Sequence, residues 1–255
     1  MARLAPVVLP LAVGLITAAG PSTAPGQTFL DESFETDGQG SRYTASQPFN
    51  AQGNYWDRGE IADFDSLVPY ADPDGFFFWA AEDINAQMPG GNGNDVQTID
   101  FNTIDISGAS VLRFSGLFAS TANDFFGPGF PFHEPDDGIT VQYSVDGGPF
   151  LNGLCFSRDA VSNLRHDNDC DGVGEGDLLT ADFFGAANPY TFAVPPGITL
   201  DLRIVVKADE SSEELAFDSI QVLPEPGQRS SLVCGFIALA LLARRRVRQV
   251  MARAE

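Results

Sequence analysis

The feature that most constrains the fold is a series of short apolar runs with a period of two, separated by Gly, Asn, Asp and Pro. From 198 to 207, Ile, Leu or Val occupies every second position, and polar or charged residues occupy most of the positions between. Because successive side chains of a strand point to opposite faces, this alternation predicts a strand with one buried and one wet face. No window outside the two ends has the apolar period of an amphipathic helix.

Two further runs support a β-rich body. Ile139 to Val145 alternates and reaches Asp146-Gly147-Gly148, a composition typical of a hairpin turn, so Phe150 to Phe156 is the expected return strand. The uninterrupted aromatic run from Phe76 to Trp79 predicts a central strand that is covered on both faces. Short strands separated by turn residues predict an all-β fold, an antiparallel β-sandwich of the jelly-roll type.

The two ends of the chain have features of export and membrane attachment. Arg3, an uncharged apolar run and a stretch of small residues predict a secretory signal peptide over residues 1–26. Near the other end, Pro224-Glu225-Pro226 precedes an apolar run from Leu232 to Ala243, which stops at Arg244, Arg245 and Arg246. An apolar segment followed by clustered Arg predicts a short transmembrane helix whose basic end stays in the cytoplasm. The run is shorter than the ~20 residues of a usual span.

This ordered ending, a Pro-Glu-Pro motif, a short apolar helix and an Arg cluster, resembles the PEP-CTERM sorting signal. The resemblance implies processing at the motif by an exosortase-type enzyme, in a host that typically makes exopolysaccharide. The expected organisation is a signal peptide over 1–26, a β-sandwich body over 27–223 and a sorting signal over 224–255. The expected location is the cell envelope membrane, and then the cell surface or extracellular matrix.

The predicted body is strongly acidic. It holds 33 acidic and 7 basic residues, a net charge of −26. Such a charge repels nucleic acid and anionic lipid surfaces, and it favours divalent cations. Adaptation to salty surroundings would produce the same composition, and the charge alone does not separate these two explanations.

Three segments of the body resemble bacterial extracellular jelly-roll modules of the galactose-binding-like and MAM-like types. They are Glu32-Ser33-Phe34-Glu35, the run from Ile139 to Ser144 that leads to the Gly-rich turn, and Ala216-Phe217-Asp218-Ser219-Ile220. The resemblance implies glycan binding or adhesion, and a calcium ion (Ca²⁺) held between the first and last strands.

Two acidic groups are candidate calcium sites. One is an acidic loop with the pattern D-x-D-x-D-G, in which alternate carboxylates can converge on a hard cation: Asp167, Asp169 and Asp171, with Glu175 at the ninth position. Leu178 at the twelfth position excludes a complete EF-hand, and a solvated acidic turn is the alternative.

The second group joins Glu35 and Asp37, near the first strand, to Asp218 on the last. Strand parity turns Asp218 inward, and a buried carboxylate without a partner is costly, so a shared cation would stabilise it. The alternatives are a wet strand end or an ion pair with Arg203.

Two cysteines fall in the predicted exported body. Cys155 and Cys170 are expected to form a disulfide, because cysteines in an oxidising compartment are more often paired than free.

Tyr55 and Trp56 lie in a turn-rich stretch and are the best candidates for rings that stack on a sugar. A place in the core is the alternative for both.

Catalytic motifs are absent from the sequence. The two histidines, His133 and His166, do not form HExxH, and no GxSxG or phosphate-binding glycine loop occurs. The sequence therefore predicts a non-catalytic module, not an enzyme, that associates with extracellular polysaccharide. A secreted polysaccharide hydrolase and a structural matrix protein without a discrete ligand are the alternatives.

Overall fold

The computed structural model describes residues 28–51, 53–66, 68–85, 95–121, 133–185, 187–210 and 213–225. The predicted signal peptide, Pro226, the apolar run and the arginines at 244–246 lie outside these ranges. Within them, regular structure consists of strands and one 3-10 turn, Ile61–Asp63, so the all-β prediction is confirmed. Over the same ranges, no helix has the length and apolar character needed to cross a membrane.

The strands of the described ranges, in chain order, are β1 Leu30–Glu32, β2 Tyr43–Ala45, β3 Phe49–Ala51, β4 Asn54–Gly59, β5 Phe78–Glu82, β6 Gln97–Phe101, β7 Ile104–Asp105, β8 Leu112–Ser120, β9 Gly138–Val145, β10 Leu151–Arg158, β11 Leu164–Asp167, β12 Tyr190–Val194, β13 Thr199–Lys207 and β14 Leu215–Pro224.

These strands form two antiparallel sheets. One has the order β12-β8-β14-β5-β4-β3, with β1 added beside β14; we call it the covered sheet. The other has the order β11-β10-β9-β13-β6-β2, with β7 added beside β13; we call it the open sheet. The predicted hairpin is formed by β9 and β10, and the run of alternating residues near 198–207 is β13, at the centre of the open sheet.

The main core lies between the two sheets. In β13, Leu202, Ile204 and the other apolar positions are buried, while the alternate positions are partly exposed. From the covered sheet, Trp56 and Trp79 enter the same core with ring centroids 5.2 Å apart. Fully burying a large apolar side chain stabilises a fold by about 1.5–3 kcal/mol, so the alternating pattern decides which face of each strand turns inward.

The covered sheet has a second apolar layer on its outer face. Tyr55, Phe78 and Ala80 project there from β4 and β5, and Phe64 and Phe183 from connecting segments close over them. All five residues of β5 are buried for this reason. The open sheet has no such cover among the described residues. Along β9 and β13, the side chains that face away from the main core are mostly polar and partly exposed.

The prediction for Phe76–Trp79 is correct at its end and wrong at its start. β5 begins at Phe78 and is covered on both faces, but Phe76 is 71% exposed. Gly75 adopts a φ of +102°, and the amides of Phe76 and Phe77 both donate to a carboxylate oxygen of Glu35. These side-chain bonds replace strand pairing and hold the first two residues in a turn.

The structure joins Cys155 of β10 to Cys170 in a disulfide, with the two Cα atoms 5.4 Å apart. The bond closes a loop with a sequence separation of 15 and fixes the acidic loop to the edge of the open sheet. In the chain-entropy model, a loop of this length contributes about 3 kcal/mol to stability.

Candidate functional site

The exposed face of the open sheet carries one polar side chain from each of five neighbouring strands. The strand register places these five residues side by side across the sheet, and we call them the polar row: Asn152, Gln142, Arg203, Asp100 and Thr44. Arg203 faces away from the core because its neighbours Leu202 and Ile204 face inward, and Thr44 and Asp100 likewise lie between inward-facing neighbours. Asn152 is exposed at a bulge of β10.

Contacts within the polar row hold its side chains in place. Gln142 Nε2 donates to Asn152 Oδ1 at 3.1 Å, and Arg203 Nε donates to a carboxylate oxygen of Asp100. The Arg203 guanidinium also lies over the ring of Phe150, 4.6 Å from its centroid. Phe150 is 39% exposed, so an aromatic surface borders the polar row.

A neighbouring pair extends the polar surface by two residues along β13, to the next position on the same face. Thr103 Oγ1 donates to Asp201 Oδ1 at 2.7 Å, and the register places Asp201 opposite Ser144 of β9. The face therefore offers amide, guanidinium, carboxylate and hydroxyl groups within one flat strip of the sheet.

Tyr55 and Trp56, the predicted sugar-stacking residues, are both 0% exposed. Trp56 belongs to the main core, and Tyr55 packs against Phe64 under the outer layer of the covered sheet. Neither ring can reach a sugar from these positions, so the aromatic part of the sequence prediction is corrected. The turn-like composition around them reflects the turn of the β3–β4 hairpin, whose paired residues Phe49 and Trp56 are buried.

Asp218 is fully buried within β14, between the residues of that strand that pair with β5 and those that pair with β1. Its Oδ2 accepts the amide of Asp74 at 2.8 Å, and its Oδ1 accepts the amide of Ser219 at 2.6 Å. Glu35 reaches the same loop from the segment after β1, where it accepts the amides of Phe76 and Phe77. The turn from 74 to 77 therefore brings Glu35 and Asp218 to one place.

Burial raises the pKa of Asp218 to about 8, against the hydrogen bonds from Asp74 and Ser219, which lower it. The negative charges of Asp74 and Glu35 raise it further. A carboxyl group in this setting gains from a cation because the cation removes both the repulsion and the unfavourable burial of charge.

Asp37 does not join this group. It is exposed, and its Oδ1 accepts the amide of Gln39 at 2.9 Å, whereas the turn from 74 to 77 contacts Glu35 and Asp218. The alternative ion pair between Asp218 and Arg203 is wrong, because Arg203 pairs with Asp100 on the opposite sheet.

The acidic loop brings three of its four predicted ligands together. Carboxylate oxygens of Asp167, Asp169 and Glu175 lie within 4.8 Å of one another, with Asp167 buried and the other two exposed. Asp171 instead accepts the amide of Val173 at 3.0 Å. The other negative charges, Asp171 first, raise the pKa of Asp169, so the loop has the electrostatics of a cation site and also of a solvated turn.

A second buried carboxyl group, unrelated to the predicted sites, lies beneath the outer layer of the covered sheet. Glu82 of β5 is 5% exposed, beside Glu214, which is fully buried. Burial and then the charge of Glu214 raise the pKa of Glu82 to about 9. The tyrosines of the same layer, Tyr55 and Tyr70, also have pKa values raised by burial.

The sequence analysis missed the polar row. Strand parity identified the outward positions of β13, including Arg203, but the row depends on the register of five strands, and four of them are far apart in the chain. The signal that was present in the sequence is the alternation itself, which marks polar residues on one face of β9 and β13.

No protein-family model matches the chain, and neither does a curated protein. Solved structures with a similar outline are adhesin and carbohydrate-binding domains. The K1 cleaved adhesin domain of Lys-gingipain from Porphyromonas gingivalis W83 is 15% identical, with 77% of this chain and 98% of that chain covered and a TM-score of 0.43.

The second is a family 61 carbohydrate-binding module in complex with β-1,4-galactotriose. It is 11% identical, with 78% and 99% coverage and a TM-score of 0.40. The third is the CBM22-1 xylan-binding domain of Paenibacillus barcinonensis Xyn10C, at 12% identity, 79% and 97% coverage and a TM-score of 0.34. TM-scores this low do not indicate a function for this chain.

Glu82 makes stability depend on pH. Its pKa of about 9 in the folded protein lies above the ordinary value of 4.5, so between these values the unfolded chain loses a proton that the folded chain retains. The free energy of unfolding therefore falls as pH rises through this window. We expect Glu82→Gln to be more stable than the unsubstituted chain by an amount on the order of 2 kcal/mol at pH 7, and equal to it near pH 4.

The measurement is thermal unfolding from pH 4 to pH 9 in the presence of EDTA. Glu225→Gln, at an exposed position beyond β14, is the matched control and should leave the curve unchanged. A stability difference for Glu82→Gln that does not vary with pH would contradict the assignment.

Proposed function

We propose that the chain is an exported, non-catalytic module that binds a neutral polysaccharide on the open sheet. The observation that carries the proposal is the polar row, in which five neighbouring strands each present a hydrogen-bonding side chain beside the ring of Phe150. Five strands at about 4.8 Å spacing extend over about 19 Å, which suits an oligosaccharide segment better than a single sugar.

The chemistry of the polar row suits sugar hydroxyls. Amide, carboxylate and guanidinium groups are planar and present donors and acceptors in pairs, which matches the hydroxyls on adjacent ring carbons. Arg203 covers one face of the Phe150 ring, and the exposed remainder of the ring supplies an apolar contact for the C–H groups of a pyranose. The net charge of −26 over the body opposes uronic acid or sulfated polymers, which leaves a neutral polysaccharide as the ligand class.

Binding without hydrolysis suits this face better than catalysis does. The general acid of a glycoside hydrolase must retain its proton near neutral pH, which burial in a cleft achieves. Asp100 instead is 41% exposed at its side chain and is paired with Arg203. Asp201, the neighbouring carboxylate, accepts a hydroxyl bond on the same flat face.

The glycan prediction concerns Arg203, which contacts both Asp100 and Phe150. The full chain, purified in mild detergent, should bind neutral polysaccharides in a glycan array and in affinity electrophoresis. Arg203→Ala should weaken that binding by roughly 10- to 100-fold, because hydrogen bonds to a charged group contribute about 1.5–3 kcal/mol.

Arg113→Ala is the matched control, since Arg113 is exposed on β8 of the covered sheet and should leave binding unchanged. Binding that is lost equally in both variants, or absent for all polysaccharides, would support a structural matrix role instead. Release of sugar products by the full chain would support the hydrolase alternative.

Export and retention form the second part of the proposal. Pro224 is the last residue of β14, and the amide of Glu225 donates to Val111 O at 3.1 Å. The folded body therefore extends to the start of the Pro-Glu-Pro motif, so that a processing enzyme at the membrane meets the motif directly after the sheet. An exosortase-type enzyme is the proposed partner.

Deletion of residues 232–255 should shift the protein from the envelope fraction into the medium, because the apolar run and the Arg cluster would be lost together. Fractionation and immunoblotting of the culture measure the shift. Replacing Arg253 alone, outside the cluster, is the control. Unchanged retention of the truncated protein would contradict the anchor.

Calcium binding forms the third part. We place one ion at Glu35 and Asp218, where a buried carboxyl group, a neighbouring carboxylate and the loop at 74–77 converge, and a second at Asp167, Asp169 and Glu175. Oxygen donors of this kind suit Ca²⁺, and the first site would link β14 to the segment after β1.

Calcium should raise the melting temperature of the EDTA-treated chain well beyond sodium chloride at matched ionic strength. Binding to the folded form alone contributes about 2.7 kcal/mol when the free ion is a hundredfold above its dissociation constant. Asp218→Asn should remove most of the response and Asp169→Asn a separate part of it, with Asp31→Asn, exposed on β1, as the control. A melting temperature that follows ionic strength alone would exclude both sites.

A further inference from the structure

A buried histidine and two buried carboxylates meet at the end of the sandwich where β9 and β14 begin. His133, Asp137 and Glu213 are 1%, 3% and 0% exposed. One ligand atom from each lies within 4.8 Å of the other two. His133 and Asp137 belong to the segment that enters β9 in the open sheet, and Glu213 to the segment that enters β14 in the covered sheet.

The imidazole of His133 is the decisive side chain. Both of its nitrogen atoms are buried, and neither has a hydrogen-bond partner among the residues that the structure describes. A buried polar group without a partner costs about 1–3 kcal/mol, and here the ring is aimed at two carboxylates. A neutral imidazole nitrogen is a good ligand for a divalent transition metal, which would supply the missing interaction.

The two carboxylates are oriented by backbone amides. One oxygen of Asp137 accepts the amide of Glu134, while its Oδ1 is buried without a partner. Glu213 Oε2 accepts the amides of Asp209 and Glu210 at 2.6 and 2.8 Å, while its Oε1 has a long contact of 3.4 Å with the amide of Glu134. The two carboxyl groups also contact each other, and each has an oxygen held by backbone amides, as outer hydrogen bonds hold metal ligands.

We propose that His133, Asp137 and Glu213 form a binding site for a divalent transition metal ion of the Zn²⁺ class. One nitrogen and two oxygen ligands suit such an ion better than Ca²⁺, which prefers oxygen donors alone. The ion joins the entry to β9 with the entry to β14 and so ties the two sheets together. The ion pair of Lys207 with Asp136, next to Asp137, already holds the same corner from outside.

The site is separate from the proposed calcium sites and from the polar row in residues and in ligand chemistry. Its sequence signal is weak, because His133 and Asp137 are 76 or more positions from Glu213 and no spaced motif joins them. Only the pairing of β9 with β13, and the short connection from β13 to β14, bring the three residues together.

The chain provides its own control, because it has two histidines and the second, His166, lies on β11, where its ring packs beside Phe156 and Tyr190 and is not part of the cluster. The full chain is purified in mild detergent with a histidine-free tag, treated with EDTA and titrated with Co²⁺, whose visible absorption reports its ligands, and then with Zn²⁺ in competition. We expect one equivalent of Co²⁺, displaced by Zn²⁺ and not by the same concentration of Ca²⁺.

His133→Gln should weaken Co²⁺ binding by at least about 100-fold, and Asp137→Asn should weaken it as well, while His166→Gln should leave it unchanged. His166→Gln also retains a single imidazole, so its NMR signal reports His133 alone and should shift on addition of Zn²⁺ even if His133→Gln fails to fold. No shift in that variant, retention of Co²⁺ by a folded His133→Gln, or displacement by Ca²⁺ would overturn the proposal. Glycan binding is not part of the readout, so the two proposals fail independently.

Discussion

The packing of two antiparallel sheets against each other determines what each remaining face can do. The main core takes one face from each sheet, and in it Phe34 packs edge to face against Phe217 and at a tilt against Trp79. The covered sheet then buries its other face under Phe64 and Phe183. Among the described residues, the open sheet is left with a broad face whose side chains are available, and the polar row lies there because β13 alternates strictly between core and surface.

The second constraint is the placement of negative charge in a body that has few cations. Seven basic residues cannot neutralise 33 acids, and four of them are already committed to the side chains Glu32, Asp159, Asp100 and Asp136. Carboxyl groups that the fold nevertheless buries, such as Glu82 and Asp218, have pKa values well above those of exposed carboxyl groups. Divalent metal ions can neutralise carboxylates where basic side chains are lacking, since each ion carries two charges and binds several oxygen ligands at once.

The sequence predicted those elements whose signal is local. Alternation identified β9, β13 and the hairpin to β10, and the spacing of Asp167, Asp169 and Glu175 identified a cluster that the structure also brings together. Parity turned Asp218 inward correctly. Errors arose where a nonlocal contact decides the outcome: Glu35 binds the amides of Phe76 and Phe77 from 41 and 42 positions away, and a second apolar layer buries Tyr55. Composition cannot separate a buried aromatic ring from an exposed one.

The proposed glycan-binding face and the proposed ion sites occupy different parts of this fold, and that separation has a physical reason. The face of a sheet offers a flat, repeating set of side chains at the strand spacing, which suits a polymer with its own repeat. The ends of a sandwich offer backbone amides and carboxylates from strands that enter at different angles, as at Glu213, and such groups converge on a point. A point of converging donors suits an ion, and a strip of parallel ones suits a chain. Substitutions at the ends should therefore alter stability, and those on the open face should alter binding, with little exchange between the two.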